Sequence, residues 1–173
     1  MKRAVLIPFE EDHLPAVLAW VNDAELRDAI GTVRPISMAQ HRSWYAGLQG
    51  DTRRLVMAIS PGRNRLAGLV GLASIDLVYR NAELWVYLGS TRSRRRGFGR
   101  RAVDEMLSLA FGNLGLHRVY VNVFDFNKPA REFFKACGFR EEGLLREAVF
   151  KRGKFCDKVL LGILAQEYRK GTK

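Results

Sequence analysis

The sequence predicts one α+β domain, residues 1–173, built on a mixed sheet. Three observations carry that expectation. Apolar runs of strand length alternate with stretches of helical periodicity in the order β-α-α-β-β-β-α-β-α-β-β. No repeat, low-complexity tract or linker interrupts them. A chain of 173 residues with 47% hydrophobic and 27% charged side chains has the length and balance of a single soluble core without disulfides or metal.

"AVLIPF" (4–9) is a short β run. In "EEDHLPAVLAWVND", Leu14, Val17, Leu18 and Val21 recur at helical spacing, with Asp12 as cap and Pro15 in the first turn. "PISMAQHRSWYAGL" repeats the design with Ser37 as cap and Gln40 as its capping-box partner. "RLVMAIS" (54–60) and "RLAGLVGLASIDLVY" (65–79) flank the turn "PGRN" as a hairpin. In "NAELWVYLG" (81–89), alternation sets Leu84, Val86 and Leu88 on one face and Glu83, Trp85 and Tyr87 on the other. From Gly97 onward, Ala102, Val103, Met106, Leu107, Ala110, Phe111 and Leu114 form one apolar helical stripe that ends at "GNLG". "HRVYVNVF" (117–124) is a strand and "KPAREFFKACG" (128–138) a helix closed by Gly138. "FREEGLLREAVF", the turn "KRGK" and "FCDKVLLGILAQEY" supply the last two strands.

Several classes are excluded as expectations. No apolar run approaches the roughly 18 residues of a membrane span. "MKRAVLIPFEEDHLP" turns acidic too soon for a signal peptide, which predicts no targeting segment and a cytoplasmic protein. Cys137 and Cys156 stand alone, and His13, His41 and His117 are scattered, so neither a metal site nor a disulfide is expected.

The net charge of +11 is unevenly placed. Residues 1–90 carry 10 basic against 9 acidic side chains, and residues 91–173 carry 19 against 9. The excess starts in "STRSRRRGFGRRAVDEML" (90–107), where six arginines surround two glycines between a strand and a helix. Such a turn is an anion seat. The first helical N–H groups lack partners, the helix dipole favours negative charge, Gly97 and Gly99 let a phosphate approach bare backbone, and arginines add charge-assisted hydrogen bonds. A merely solvated turn is the alternative. The missing third glycine argues against a dinucleotide fingerprint, and the missing Gly-Lys-Ser/Thr ending against a P-loop.

Arg94-x-x-Gly97-x-Gly99 resembles the acyl-CoA pyrophosphate motif, Q/R-x-x-G-x-G/A, of the GNAT superfamily of N-acetyltransferases. "LGLHRVYVNVFDFNKPAREFFKACGFREEGLLREAVFKRGKFCDKVLLGIL" is similar throughout to its ribosomal-protein-alanine and spermidine acetyltransferase branch. Its markers are Asn127 with Ala130, Cys137-Gly138-Phe139 with Glu142-Gly143, and Gly153 with Asp157. The N-terminal third matches less tightly and is similar to members that acetylate amino-sugar nucleotides.

The resemblance implies the GNAT fold, a mostly antiparallel central sheet of six to seven strands with about four helices, and acetyl-CoA as acyl donor. The pyrophosphate is then expected on the backbone of Arg95, Arg96, Gly97, Phe98, Gly99 and Arg100, with Arg94 and its neighbours facing phosphate. Asn127, Ala130 and Phe134 complete the cofactor contacts, and a backbone N–H near Tyr87 or Leu88 polarises the thioester oxygen. Glu83 matches the position of a catalytic glutamate that takes the proton of the amine; a structural glutamate paired with an arginine is the other reading. Phe134 stands where many relatives carry a tyrosine that protonates the leaving thiolate, and it cannot donate. Direct transfer in a ternary complex is the family's usual mechanism, which leaves Cys137 a packing residue rather than a nucleophile.

The expected acceptor is a small-molecule amine or a protein N-terminus. Around residues 23–50, Asp23, Glu25 and Asp28 are offset by Arg27, Arg34 and Arg42, which disfavours spermidine and aminoglycosides and favours an amino-sugar nucleotide or a protein N-terminus. No nucleic acid and no membrane are expected as partners, and a homodimer stays open. The competing readings are a basic nucleic-acid-binding module and a non-catalytic CoA-binding domain of the same fold.

Overall fold

The computed structural model describes residues 6–62, 65–89, 96–151 and 153–171. Its elements in chain order are β1 (Leu6–Pro8), a 3-10 turn (Glu11–His13), α1 (Leu14–Asn22), α2 (Ala24–Ile30), α3 (Met38–Ala46), β2 (Leu55–Ile59), β3 (Gly68–Asp76), β4 (Asn81–Leu88), α4 (Phe98–Ser108), β5 (Arg118–Phe124), α5 (Lys128–Ala136), β6 (Arg140–Lys151), β7 (Lys154–Leu164) and α6 (Ala165–Gly171). A π-helical turn, Leu109–Asn113, continues α4. The strands hydrogen-bond in the order β1-β2-β3-β4-β5-β7-β6. The sheet is mixed and mostly antiparallel, with β4 and β5 parallel. By contact density the chain forms two compact units, Met1–Ala73 with Trp85–Met106, and Ser74–Leu84 with Leu107–Lys173.

In the first unit, β1, β2 and β3 pair antiparallel, with Leu6 opposite Ile59 and Ala58 opposite Leu69. Phe9, Leu14, Val17, Val21, Ala58 and Leu69 are buried together, and Trp20, Trp44, Tyr45 and Trp85 pack against them. The cap before α1 differs from expectation. Glu10, not Asp12, caps the segment: its N–H donates to His13 Nδ1 at 3.0 Å in a reciprocal capping box. The 3-10 turn draws Asp12 inside the segment, two positions past its cap. A further helix, α2, was not expected from the sequence. Asp23 caps it by accepting from Leu26 N–H at 3.1 Å, and Gly31 at φ +85° ends it. Its seven residues bury only Leu26, too little for a visible periodic stripe. Ahead of α3, the expected Ser37–Gln40 box forms, with Gln40 N–H on Ser37 Oγ at 3.2 Å and Ser37 N–H on Gln40 Oε1 at 3.0 Å.

In the second unit, β5 lies between the start of β4 and β7, and β6 is the outer strand. Ala82, Leu84, Val119, Val121, Leu161 and Ile163 are buried on these strands. Arg118 and Glu142 form a bidentate ion pair across Gly162, where a Cβ would lie 2.5 Å from Arg118 Nη1. The final strand is shorter than its sequence suggests: "AQEY" is helical. Leu164 N–H donates to Glu167 Oε2 at 2.9 Å, a side-chain cap that turns the chain into α6. Among the described residues the fold carries six helices, two more than expected, and both extra ones are seven-residue helices anchored by a carboxylate cap.

Among the described residues no helix is long and apolar enough to cross a membrane.

Candidate active site

Glu83 stands in β4, in parallel register with Tyr120 of β5. Asn122 follows Tyr120 by two residues and so shares its strand face. Asn122 Nδ2 donates to Glu83 Oε1 at 2.9 Å. The other end of the carboxamide, Oδ1, is buried with no hydrogen-bond partner among the described residues. The Asn122 side chain is thus aligned by the glutamate, and in return restricts its rotamer. Burial first, and then the nearby negative charge of Glu83, push the Tyr120 phenol above its ordinary value, with Arg118 opposing. Sequence reasoning did not single out Asn122. The period-two pattern of "HRVYVNVF" marks its face, but only the parallel register puts that face beside Glu83.

The glycine-arginine turn belongs to the first unit. Gly97 adopts φ +76°, and a Cβ built there meets nothing within 4 Å, so backbone and open space coincide. Phe98 begins α4, Arg101 N–H bonds Gly97 O at 3.1 Å, and the Arg101 guanidinium sits 5.1 Å over the Phe98 ring. Gly99 is buried, and Arg96 and Arg100 are exposed. Arg94 and Arg95 lie outside the described residues. An eleven-residue helix entered through an open positive-φ glycine with cations at its rim fits a pyrophosphate. Tyr87 and Leu88, at the end of β4, are half-buried. Tyr87 stacks on Trp85 with centroids 5.8 Å apart, and burial pushes its phenol up, so it stays protonated at neutral pH.

Asn127 and Ala130 belong to the second unit. Asn127 caps α5, its Oδ1 accepting from Ala130 N–H at 3.2 Å. That bond takes up the side-chain oxygen and the Ala130 donor, so a ligand at this position would meet the Asn127 amide NH2. Phe134 is buried, with its ring edge-on to Phe133 at 5.1 Å and to Phe139 at 5.5 Å. Cys137 closes α5, its N–H bonded to Phe133 O and Phe134 O.

Within the first unit lies a cavity of about 520 Å³ whose walls include Arg34, Gln40, His41, Trp44, Trp85 and Tyr87. The lining contains no carboxylate among the described residues. Asp23, two residues from Val21 of the lining, is engaged as the α2 cap. His41 stacks on Trp44 with centroids 5.2 Å apart and planes 14° from parallel, and burial lowers its pKa, which keeps it neutral. Gly71 makes room for Trp85, since a Cβ there would lie 2.5 Å from the indole.

A seven-stranded mixed sheet with β4 and β5 parallel is the architecture of the acyl-CoA-dependent N-acyltransferases. The family model described as "Acetyltransferase (GNAT) domain" matches residues 3–140, and the chain belongs to that family. It is an N-acetyltransferase with acetyl-CoA as donor. A spermidine N(1)-acetyltransferase of Vibrio cholerae is 33% identical over 116 residues, 67% of this chain and 65% of that enzyme. A putative ribosomal N-acetyltransferase of Bacillus subtilis is 28% identical over 149 residues, 86% of this chain and 78% of the relative. A crystal structure of the Vibrio cholerae spermidine N-acetyltransferase in complex with CoA and spermine superposes with a TM-score of 0.89 at 26% identity, covering 95% of this chain and 96% of that one.

Proposed function

We propose that the chain acetylates the primary amine of an amino-sugar nucleotide or of a protein N-terminus, by direct transfer in a ternary complex. The observation that carries this reading is the charge of the cavity wall: Arg34 lines it, and no carboxylate does so among the described residues. A polyamine needs several carboxylates to offset its charges when it leaves water. A peptide terminus or a sugar nucleotide needs hydrogen bonds, apolar contact and a cation for any phosphate.

Acetyl-CoA supplies the acetyl group as an activated thioester. The backbone around Gly97 and the N-terminus of α4 hold its pyrophosphate, with Arg96 and Arg100 at the rim. A backbone N–H near Tyr87 or Leu88 faces the thioester oxygen as charge develops there. An alkylammonium titrates near pH ~10.4, so Glu83, held by Asn122, takes the proton of the amine directly or through a water before attack. Phe134 has no proton to give, and solvent supplies the one the departing sulfur requires.

A polyamine acceptor is the second reading, favoured by the names of the relatives. A thiol-release screen with acetyl-CoA separates the two. Turnover with a uridine diphosphate amino sugar or an unblocked peptide, with spermidine at background, is expected. Spermidine as the best substrate would overturn the proposal.

A further inference from the structure

A carboxylate that must take up a proton is weakened as a base by a cation seated on it, and Glu83 has an arginine within reach. Asn81 of β4 is in register with Arg118 of β5, and Glu83 with Tyr120, so Arg118 and Glu83 are diagonal neighbours on one face of the sheet. Long side chains meet at that spacing. Among the described residues, however, Glu83 forms no ion pair, and its one hydrogen bond comes from Asn122. The Arg118 guanidinium is directed elsewhere. Both its terminal nitrogens donate to the Glu142 carboxylate, Nη1 to Oε1 at 2.5 Å and Nη2 to Oε2, and its central carbon lies 5.7 Å over the Tyr120 ring. Glu142 is the extra residue of a bulge in β6 between Glu141 and Gly143, a feature that re-aims a side chain. Gly162 of β7, in register with Tyr120, is the floor under the pair: a Cβ there would lie 2.5 Å from Arg118 Nη1 and 2.6 Å from Glu142 Oε2. The Tyr120 phenol, raised by burial and by Glu83 and lowered by Arg118, stands between the two charges. The other cations near this face are engaged: Arg80 donates to Gly115 O, Arg140 pairs with Glu167 at 2.9 Å, and Lys151 and Lys158 lie over the Phe124 ring.

We propose that Glu142, Gly162 and Tyr120 form a positioning device for acetyl transfer: the carboxylate and the ring hold Arg118 off Glu83, and the missing side chain at residue 162 gives the held pair its room. The inference rests on Glu83 as the base and goes beyond it, because it assigns Glu142 and Gly162 the task of keeping that carboxylate open to the amine. Without the clamp, the guanidinium is free to swing along the same face onto Glu83. Seated there, it would favour the carboxylate form and oppose the uptake of a proton.

Carbon-13 NMR of the full chain with carboxyl-labelled glutamate follows the titration of Glu83, whose resonance is assigned by its loss in Glu83→Gln. In Glu142→Ala the released Arg118 should move the Glu83 midpoint to lower pH by about one unit or more. The lost negative charge alone, screened at that distance, accounts for only about a few tenths of a unit. Adding Arg118→Gln should return the midpoint to near that of the unaltered chain. Gly162→Ala keeps every charge and only crowds the pair, and it should move the midpoint in the same direction. A shift of no more than a few tenths in Glu142→Ala overturns the inference, as does a full shift that persists once Arg118 is replaced. Should Glu142→Ala fail to fold, Gly162→Ala decides, an unmoved midpoint overturning the inference. The pH dependence of kcat in Glu83→Gln keeps the two readings apart. A moved midpoint beside a loss that is flat across pH removes Glu83 as base, and with it the clamp's part in the reaction. An unmoved midpoint beside a loss that recovers at high pH removes the clamp alone.

Discussion

Glu83 is one carboxylate with one described hydrogen bond, from Asn122 Nδ2. Its assignment as base predicts that Glu83→Gln lowers kcat about 10²-fold or more at neutral pH, with activity recovering as pH rises and the amine deprotonates unaided. A loss that is flat across pH would make Glu83 structural. Asn122 acts through Glu83, so Asn122→Ala should lower kcat about tenfold with the KM for acetyl-CoA unchanged. In a Glu83→Gln background the second substitution should add almost nothing, which a double-mutant cycle reads directly. At this scale the sequence marks Glu83 by position, whereas Asn122 becomes visible only through the β4–β5 register.

At the scale of elements, two glycines make the testable difference. Gly97 stands directly ahead of α4 at φ +76° with open space over its backbone. Gly97→Glu combines a strained conformation with a charge that repels phosphate, and should abolish the acetyl-CoA thermal shift while the apo melting temperature stays within a few degrees. Retention of the shift would move the seat elsewhere. Gly71→Val in β3 would drive a side chain into the Trp85 indole. It should weaken acceptor binding far more than acetyl-CoA binding, measured by KM for each. The capping boxes and the apolar stripe of α4 are legible because each is a local pattern. α2 and α6 are not, because each is one or two turns held by a single carboxylate cap, Asp23 or Glu167.

For the whole molecule, charge governs the response to acid. Arg118 holds the Glu142 carboxyl below its usual 4.5, Arg131 and then Lys135 do the same for Glu141, and Arg54 and Arg53 for Asp51. A carboxyl whose folded pKa is depressed contributes stability that is complete above its unfolded value and is lost as pH falls through the folded one. The carboxyl contribution to the melting temperature should therefore be complete above about pH 5 and decline below it, after an earlier decline that starts near pH 6.5, where the unfolded chain protonates His41 and the folded one, with its lowered pKa, resists. Glu142→Gln should lower the plateau and flatten the decline, as followed by thermal denaturation across pH; an unchanged acid limb would assign the decline to other groups. The net charge of +11 is concentrated from residue 91 onward, the half of the chain that starts with the arginine-glycine run.

The sequence by itself determined the family and the donor. Those depend on contiguous signals: a glycine-arginine turn between strand and helix, helical and strand periodicities, and motif residues at constant spacing. Tertiary structure decided what no spacing encodes. It set Asn122 beside Glu83 through a parallel pairing of strands 39 residues apart at that contact, and it placed Asn127 Oδ1 on a helix cap. It also gathered Arg34, His41, Trp44, Trp85 and Tyr87 around one cavity. The physical reason is the same in each case. A side chain's chemistry is written in its residue type, but its partners are chosen by strand register and by which ring packs against which backbone, and those are properties of the folded chain.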